Sequence, residues 1–227
     1  MTTMTTIKQV TFEKVIKQFK KFVGTSDSRP VLKYVHFDGQ YFVATNSHYL
    51  IRVKKEVISD IPENIVENIL FCPNEMKLIT GEYNYPQTNR LIPEYENIVV
   101  NLNKSNIKDF IQLSKEVGKQ RKERVSTKIK LEFTQNYTNV STDHFTEETE
   151  KGIKEYKKTI ENVNTEVNEL TLHVNYNYLR NTLEAVKELM KLSNNETVLN
   201  MTSNVRPVHF KSNGIYDIIL LPIRVSQ

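Results

Sequence analysis

The sequence predicts an α+β fold of two similar units, in which antiparallel sheets carry helices on one face. Two patterns indicate this fold class. Runs of β-branched and aromatic residues are separated by hairpin-type turns, which is typical of antiparallel sheets. An order of strand, helix and further strands also occurs in both halves of the chain, and it argues against a doubly wound nucleotide-binding fold.

The first predicted helix covers residues 12–23. Its apolar residues recur at intervals of three and four, which is the spacing of one buried helical face. Thr11 is a suitable N-cap for this helix, and Gly24 is a suitable end. The residues of the buried face are Phe12, Val15, Ile16, Phe19, Phe22 and Val23.

Strands and short helices complete the first half. β-rich runs over 31–37 and 40–53 are joined at Asp38-Gly39, a dipeptide suited to the positive φ of a hairpin turn. The remaining predicted elements are a short helix that opens at Pro62, a strand over 68–72 and a helix over 74–80.

The second half repeats this order. Two long helices are predicted, over 105–117 and 176–192, each with one apolar face. The predicted strands cover 97–102, 128–133, 136–142, 151–161, 169–174, 197–201, 205–211 and 216–223.

Composition excludes several classes of protein. A chain of 227 residues is long enough to bury one large or two ordinary cores. The net charge of +4 is too small to prove a nucleic-acid partner, because such binding depends on where the charges cluster. A single cysteine, Cys72, excludes an internal disulfide. No stretch approaches the roughly 18 apolar residues of a membrane span, so we expect a cytoplasmic protein without membrane contact.

The sequence lacks the common motifs of nucleotide-binding and metal-dependent enzymes. The six glycines are isolated, so neither a phosphate-binding glycine loop nor a dinucleotide fingerprint is present. The histidines show no i, i+4 pairing suited to a metal, and each falls in or near a predicted strand. These histidines are His36, His48, His144, His173 and His209. We therefore expect a binding protein with no catalytic residues, metal or cofactor.

Four separated segments resemble the bacterial DNA polymerase III beta sliding clamp family. They are Val43-Ala44-Thr45-Asn46-Ser47-His48-Tyr49-Leu50, Tyr85-Pro86-Gln87-Thr88-Asn89-Arg90-Leu91-Ile92-Pro93, Val174-Asn175-Tyr176-Asn177-Tyr178-Leu179 and Ile218-Ile219-Leu220-Leu221-Pro222-Ile223-Arg224. The resemblance runs over nearly the whole chain but omits the first of the family's three domains. It implies two clamp-like domains, at 1–93 and 94–227, of which the first has a shortened second half.

The resemblance also implies a pocket for short peptide motifs of replication proteins, because in this family the matching segments line one pocket. Apolar residues would form its walls and polar residues would hold the peptide backbone. The implied pocket comprises Leu32, Thr45, Ser47, His48, Tyr49, Leu50, Pro86, Arg90, Leu91, Asn175, Tyr178, Asn204, Arg206, Ile219, Leu220, Leu221, Pro222 and Arg224. Tyr49 stands where the family often has arginine, so aromatic packing is expected to replace an arginine contact.

Basic residues are concentrated on the helices, opposite the apolar faces. Such residues are suited to the phosphate backbone of double-stranded DNA without reading bases, although lysine stripes also occur on ordinary solvated faces. The candidate DNA-binding residues are Lys14, Lys17, Lys21, Lys104, Lys108, Lys115, Arg180 and Lys187.

Two hypotheses follow from the sequence. In the first, the protein is a short processivity clamp, in which three chains of two domains form the six-domain ring that longer clamp chains form as dimers. Its partners would be DNA, the clamp-binding motifs of DNA polymerase and other replication or repair proteins, and a clamp loader. In the second, it is a peptide-binding decoy or adaptor that does not encircle DNA, as a phage or mobile element would use.

Overall fold

A computed structural model of the protein describes residues 8–79, 83–94, 98–120, 128–134, 137–142, 157–161, 163–165, 169–194, 196–212 and 214–224. Within these ranges, every helix is too short or too polar to cross a bilayer. The first part of the predicted strand over 151–161 lies outside the described residues.

The first half contains one α-helix and seven short strands among its described residues. The elements are β1 (Val10–Thr11), α1 (Phe12–Phe19), β2 (Val35–Phe37), β3 (Tyr41–Thr45), β4 (Tyr49–Lys54), β5 (Ile58–Ser59), β6 (Ile69–Phe71) and β7 (Leu78–Ile79). Short 3₁₀ helices cover Pro30–Lys33, Lys55–Val57 and Thr88–Leu91.

The second half has longer elements. They are β8 (Ile98–Asn103), α2 (Lys104–Gln120), β9 (Lys128–Phe133), β10 (Tyr137–Thr142), β11 (Lys157–Glu161), β12 (Val163–Thr165), β13 (Leu170–Asn175), α3 (Tyr176–Leu189), β14 (Glu196–Met201), β15 (Val208–Ser212) and β16 (Tyr216–Leu220). A 3₁₀ helix over Met190–Ser193 extends α3, and Asn194 ends it in the left-handed conformation.

One ten-stranded sheet runs through both halves, in the order β12-β8-β14-β15-β16-β4-β3-β2-β6-β7. Every pair in it is antiparallel, as is every pair of a second sheet with the order β11-β10-β9-β13. The two halves join where β16 pairs with β4, with Leu220 opposite Tyr49 and Ile218 opposite Ile51. The predicted antiparallel α+β fold is confirmed, whereas the small parallel pair of β1 with β5 was not predicted.

The helices lie on one face of the large sheet. Tyr49, Ile51 and Val53 of β4 belong to the same buried cluster as the apolar faces of α1, α2 and α3. Alternate side chains of a strand point to opposite faces, so Leu50 and Arg52 lie on the other face, called the outer face below. Helix α3 packs beside both α1 and α2, so the three helices form one layer.

Helix α1 is shorter than the helix over 12–23 that its apolar pattern predicts. It ends at Phe19, and Phe22 and Val23 follow in turns that still pack their side chains inward. Gly24 does not end it in a left-handed turn. Its N–H donates to the carbonyl of Leu32 at 2.7 Å, and an added Cβ would lie 3.3 Å from the Leu32 Cβ. Close approach of two backbones, rather than helix termination, therefore explains this glycine.

Four other predictions in the first half were wrong in whole or in part. The β-rich run over 31–37 begins with the 3₁₀ helix over Pro30–Lys33, and only Val35–Phe37 is a strand. The run over 40–53 is two strands, because residues 46–48 form a turn between β3 and β4. Pro62 opens a turn in which Ile65 N–H donates to the Pro62 carbonyl, not a helix. The predicted helix over 74–80 is a turn followed by β7, which pairs with β6. The hairpin turn at Gly39 is confirmed, with φ of +96°.

Candidate functional site

The turn between β3 and β4 is held by its own side chains. Thr45 Oγ1 donates to the Tyr49 carbonyl at 2.8 Å and accepts from the Ser47 N–H at 3.2 Å. Asn46 Oδ1 accepts from the N–H groups of His48 and Tyr49 at 3.0 and 3.2 Å. Short polar side chains that bond to nearby backbone compete with a continuous strand, which is why the sequence turns here.

Ser47 has φ of +77°, a left-handed conformation that L-residues adopt at a cost. Arg29, which was not predicted as a site residue, donates from Nη1 to Ser47 Oγ at 2.7 Å. This contact ties the chain before the first 3₁₀ helix to the turn that contains His48.

Four aromatic rings form a stack across the junction of the two halves. Phe22 and Tyr49 have ring centroids 4.4 Å apart, Tyr49 and Tyr178 lie 4.5 Å apart, and Tyr178 and His48 lie 5.5 Å apart. Tyr49 is buried and Tyr178 is half-buried, whereas His48 is exposed. The stack therefore opens to solvent at His48 and Tyr178, and Tyr49 and Phe22 form its buried end.

The Tyr49 hydroxyl joins the stack to two helices. It donates to the backbone carbonyl of Lys21, which follows α1, and it accepts from Asn181 Nδ2 of α3 at 3.2 Å. Burial raises the pKa of Tyr49, so the phenol stays neutral and keeps its donor. Tyr49, which was predicted to act by aromatic packing, thus also forms structural hydrogen bonds.

Asn175 acts as the N-cap of α3. Its Oδ1 accepts from the N–H groups of Asn177 and Tyr178 at 2.9 and 3.3 Å. Asn175 was predicted to contact the peptide backbone, and in the structure its side chain caps the helix that carries Tyr178.

A small apolar cluster lies on the outer face of the sheet, on the side of β4 opposite to Tyr49. Leu50 of β4 packs against Val43 of β3 and Ile219 of β16, and Tyr85 and Ile92 cover them. Burial raises the pKa of Tyr85, whose hydroxyl lies 3.5 Å from the Val43 carbonyl. The segment over 85–92, which contains the predicted pocket residues Pro86, Arg90 and Leu91, is therefore packed across the junction of the two halves.

The chain after β16 continues past the same place. Leu221 N–H donates to the His48 carbonyl at 2.9 Å, and Ile223 N–H donates to the His173 carbonyl of β13 at 2.7 Å. The side chain of Leu221 is 40% exposed, and Leu91 is 51% exposed. Pro222 is half-buried and Arg224 is exposed. This tail bridges the β3–β4 turn and the second sheet.

Most of the predicted pocket residues belong to these connected segments. We call this region the seam, and it contains Thr45, Ser47, His48, Tyr49, Leu50, Pro86, Arg90, Leu91, Asn175, Tyr178, Ile219, Leu220, Leu221, Pro222 and Arg224. Within the described ranges, no hydrogen bond or ring contact joins Asn204 or Arg206 to it, and both are exposed between β14 and β15. Leu32 is buried beside Gly24.

The helical layer carries the predicted DNA-binding residues. Six of them are exposed and form no ion pair within the part of the chain that the structure describes: Lys14, Lys17, Lys104, Lys108, Lys115 and Lys187. The other two, Lys21 and Arg180, form ion pairs with the same carboxylate. Glu184 of α3 accepts from Lys21 Nζ at 2.8 Å and from Arg180 Nε at 3.1 Å. Burial acts to raise the pKa of Glu184, but Lys21 and then Arg180 outweigh it, so the pKa is lowered and the carboxylate stays charged.

The fold is similar to that of bacterial sliding clamps. No protein-family model matches the sequence, and no curated protein matches it in sequence. Among solved structures, the DNA polymerase sliding clamp from Bacillus subtilis is 20% identical with a TM-score of 0.73, and the match covers 94% of this chain and 63% of that chain. The beta subunit from DNA polymerase of Streptococcus pyogenes is 17% identical, with a TM-score of 0.69 and coverage of 94% and 64%.

A third solved structure, the Bartonella birtlesii DnaN sliding clamp (DNA polymerase III subunit beta) bound to griselimycin, is 16% identical with a TM-score of 0.70 and covers 94% of this chain and 64% of that chain. At these identities the likeness establishes the fold. The chain thus has a sliding-clamp fold and spans a little under two thirds of the length of these clamps.

Proposed function

We propose that this protein is a non-enzymatic, clamp-like replication factor that binds short peptide motifs at the seam and lies against double-stranded DNA through its helical layer. One observation carries the proposal. Within a sliding-clamp fold, Tyr49, His48 and Tyr178 meet at the junction of the two halves, where the tail after β16 also passes. We propose the two domains as 1–93 and 94–227.

The seam has the chemistry that a short peptide motif needs. Tyr178 and His48 offer aromatic surface at the open end of the stack, and Leu91 and Leu221 are large apolar side chains left exposed. Exposed apolar and aromatic groups next to a rigid backbone turn are suited to anchoring the aliphatic and aromatic residues of a peptide. Arg90 and Arg224, both exposed, are available to its polar groups.

The helical layer supports the second part of the proposal. Its six unpaired lysines come from all three helices of the described chain, so positive charge is spread across one surface. Contacts of this kind bind phosphates regardless of sequence. Where a closed ring holds DNA topologically, weak local contacts are sufficient, and two domains per chain would require three chains for a six-domain ring.

A second candidate function is a peptide receptor that does not encircle DNA. The compensation of Lys21 and Arg180 by Glu184 favours it, because two of the eight predicted DNA contacts serve helix packing. The seam would then act alone, as a decoy or adaptor for the partners of another clamp.

Native mass across a concentration series separates these two functions. The processivity clamp should form a stable trimer and remain on nicked circular DNA after transfer to high salt, but slide off when the DNA is linearised. A monomer at every concentration, with no retention on circles, would leave only the receptor.

Peptide binding is measured separately, because it is common to both functions. The probe is a fluorescein-labelled peptide carrying the clamp-binding motif of a bacterial DNA polymerase, with unlabelled griselimycin as competitor. Saturable binding that griselimycin displaces is the expected result. Absence of saturable binding by the labelled peptide would contradict the proposed peptide binding at the seam.

A further inference from the structure

Arg52 makes three contacts on the outer face of the large sheet. Its Nε donates to Asp217 Oδ2 of β16 at 2.6 Å, and its Nη1 donates to Asn89 Oδ1 at 2.9 Å. Its guanidinium also lies over the ring of Tyr41, 4.5 Å from the centroid. One side chain therefore connects β4, β16, β3 and the 3₁₀ helix over Thr88–Leu91.

The carboxylate of Asp217, which pairs with Arg52, also contacts a buried histidine. His209 of β15 lies with Nε2 2.8 Å from Asp217 Oδ1, and the side chains of His209 and Asp217 are 3% and 9% exposed. A carboxylate only accepts, so Nε2 carries the proton and donates. Burial acts to raise the pKa of Asp217, but His209 and then Arg52 lower it. The carboxylate is thus charged and fixed, and it can anchor Arg52 without moving.

The other end of this chain of contacts is the segment over 85–92. Tyr85 and Ile92 hold its ends by apolar packing, which has no preferred direction. Of the 3₁₀ helix between them, only Thr88 is buried, whereas Asn89, Arg90 and Leu91 are exposed, so packing holds one end of this helix and leaves the residues that follow it without packing contacts of their own. The hydrogen bond from Arg52 to Asn89 is directional, and it lies one residue before Arg90.

We propose that Arg52 is a positioning residue, which orients the 3₁₀ helix so that Arg90 and Leu91 stand at the seam in the geometry that a bound peptide requires. This inference rests on the proposed peptide-binding function and adds a residue to it that does not touch the peptide. The fixed fork of an arginine can bond to Asp217 and Asn89 at once, whereas the ammonium of a lysine acts as a point charge and loses one of the two contacts.

The test uses trypsin and peptide binding on the full chain. Trypsin cleaves after Arg90, so the rate of cutting of the Arg90–Leu91 bond, followed by mass spectrometry, reports how firmly the 3₁₀ helix is held. Arg52→Met removes both contacts, and Arg52→Lys keeps a charge opposite Asp217 in case the first variant does not fold. Lys54→Met, on the same strand and at a partly exposed ion pair with Glu56, is the matched control.

We expect both Arg52 variants to be cut at least tenfold faster at Arg90–Leu91 and to bind the labelled peptide at least fivefold more weakly, with Lys54→Met unchanged in both. Arg52→Lys should keep the thermal midpoint of the wild type, which a general loss of structure would lower. Unchanged cutting in a folded Arg52 variant would overturn the proposal, and so would faster cutting with unchanged peptide affinity. If the wild type does not bind the peptide, the proposed function fails, and faster cutting would still show that Arg52 holds the helix.

Discussion

Glu184 of α3 lies 2.8 Å from the Nζ of Lys21, which follows α1, although the two residues are 163 positions apart in the sequence. The same carboxylate also binds Arg180. Two predicted DNA contacts therefore share one negative charge at the boundary between two helices. The helical layer is consequently less basic at this boundary than the count of its lysines indicates.

Replacing Glu184 with glutamine should increase DNA affinity. The change leaves Lys21 and Arg180 without a negative partner, so more positive charge becomes available to phosphates. The free energy of unfolding should fall by about 0.5–1 kcal/mol, as for a partly exposed ion pair. Fluorescence anisotropy with a labelled DNA duplex and urea denaturation measure the two effects. A lower DNA affinity would mean that Glu184 arranges both cations for DNA contact.

Charge reversal at Lys17 and Lys108 should weaken DNA binding. Both side chains are exposed on different helices, so each contributes to the phosphate contacts independently. The dependence of log affinity on log salt should become shallower by about one unit per lysine removed. Lys77, exposed in the turn before β7, is the matched control, and Lys77→Glu should change affinity little. Equal effects at all three positions would show that only net charge matters.

Tyr178→Ala should reduce peptide affinity about tenfold or more, because an aromatic anchor is removed from the open end of the stack. Tyr178→Phe keeps the ring and is the matched control, so it should bind within about twofold of the wild type. The labelled clamp-binding peptide measures both variants. A loss with phenylalanine as large as with alanine would assign recognition to the hydroxyl instead of the ring.

Acid should destabilise the protein through His36. This ring lies 4.8 Å from Tyr85 and 6.4 Å from Tyr83, and burial lowers its pKa despite the opposing effect of Asp38. The unfolded chain therefore binds a proton at a higher pH than the folded chain, and the unfolding free energy decreases as pH falls below about 6.5.

Urea midpoints between about pH 7 and pH 5 test this effect, since that interval contains the ordinary histidine range. His36→Phe removes the titrating group but keeps a ring against the tyrosines, so its midpoint should depend less on pH in this interval. The same slope in wild type and variant would assign the acid sensitivity to another group.

Order and local pattern made much of the fold predictable. The apolar spacing of α1, α2 and α3 locates all three helices, and the resemblance places four distant segments at one seam. Helix ends were less accurate, because Phe22 and Val23 stay buried in turns and continue the helical pattern beyond Phe19. Local periodicity does not separate a helical turn from a turn that feeds a short strand, and this explains the error at β7.

Most of the long-range side-chain contacts near the seam could not be predicted from the sequence. Arg52 and Asp217 are single charged residues within largely apolar strands, and nothing near either residue in the sequence indicates its partner. They meet only because β4 pairs with β16. Asn175 is different, because it directly precedes the predicted start of α3, so its role as a helix cap could have been predicted from the sequence. Long-range pairing of strands carries no local signal, so roles that depend on it became visible only in three dimensions.

The pairing of β4 with β16 also bears on how the protein is made. Arg52 and Asp217 are 165 positions apart, so the strand that completes the seam is synthesised long after β4. Until β16 has left the ribosome, the edge of β4 and the apolar side chains of Leu50 and Tyr49 lack their partner. The nascent chain must therefore keep this open strand from pairing with other chains, and the seam is complete only after β16 has been synthesised.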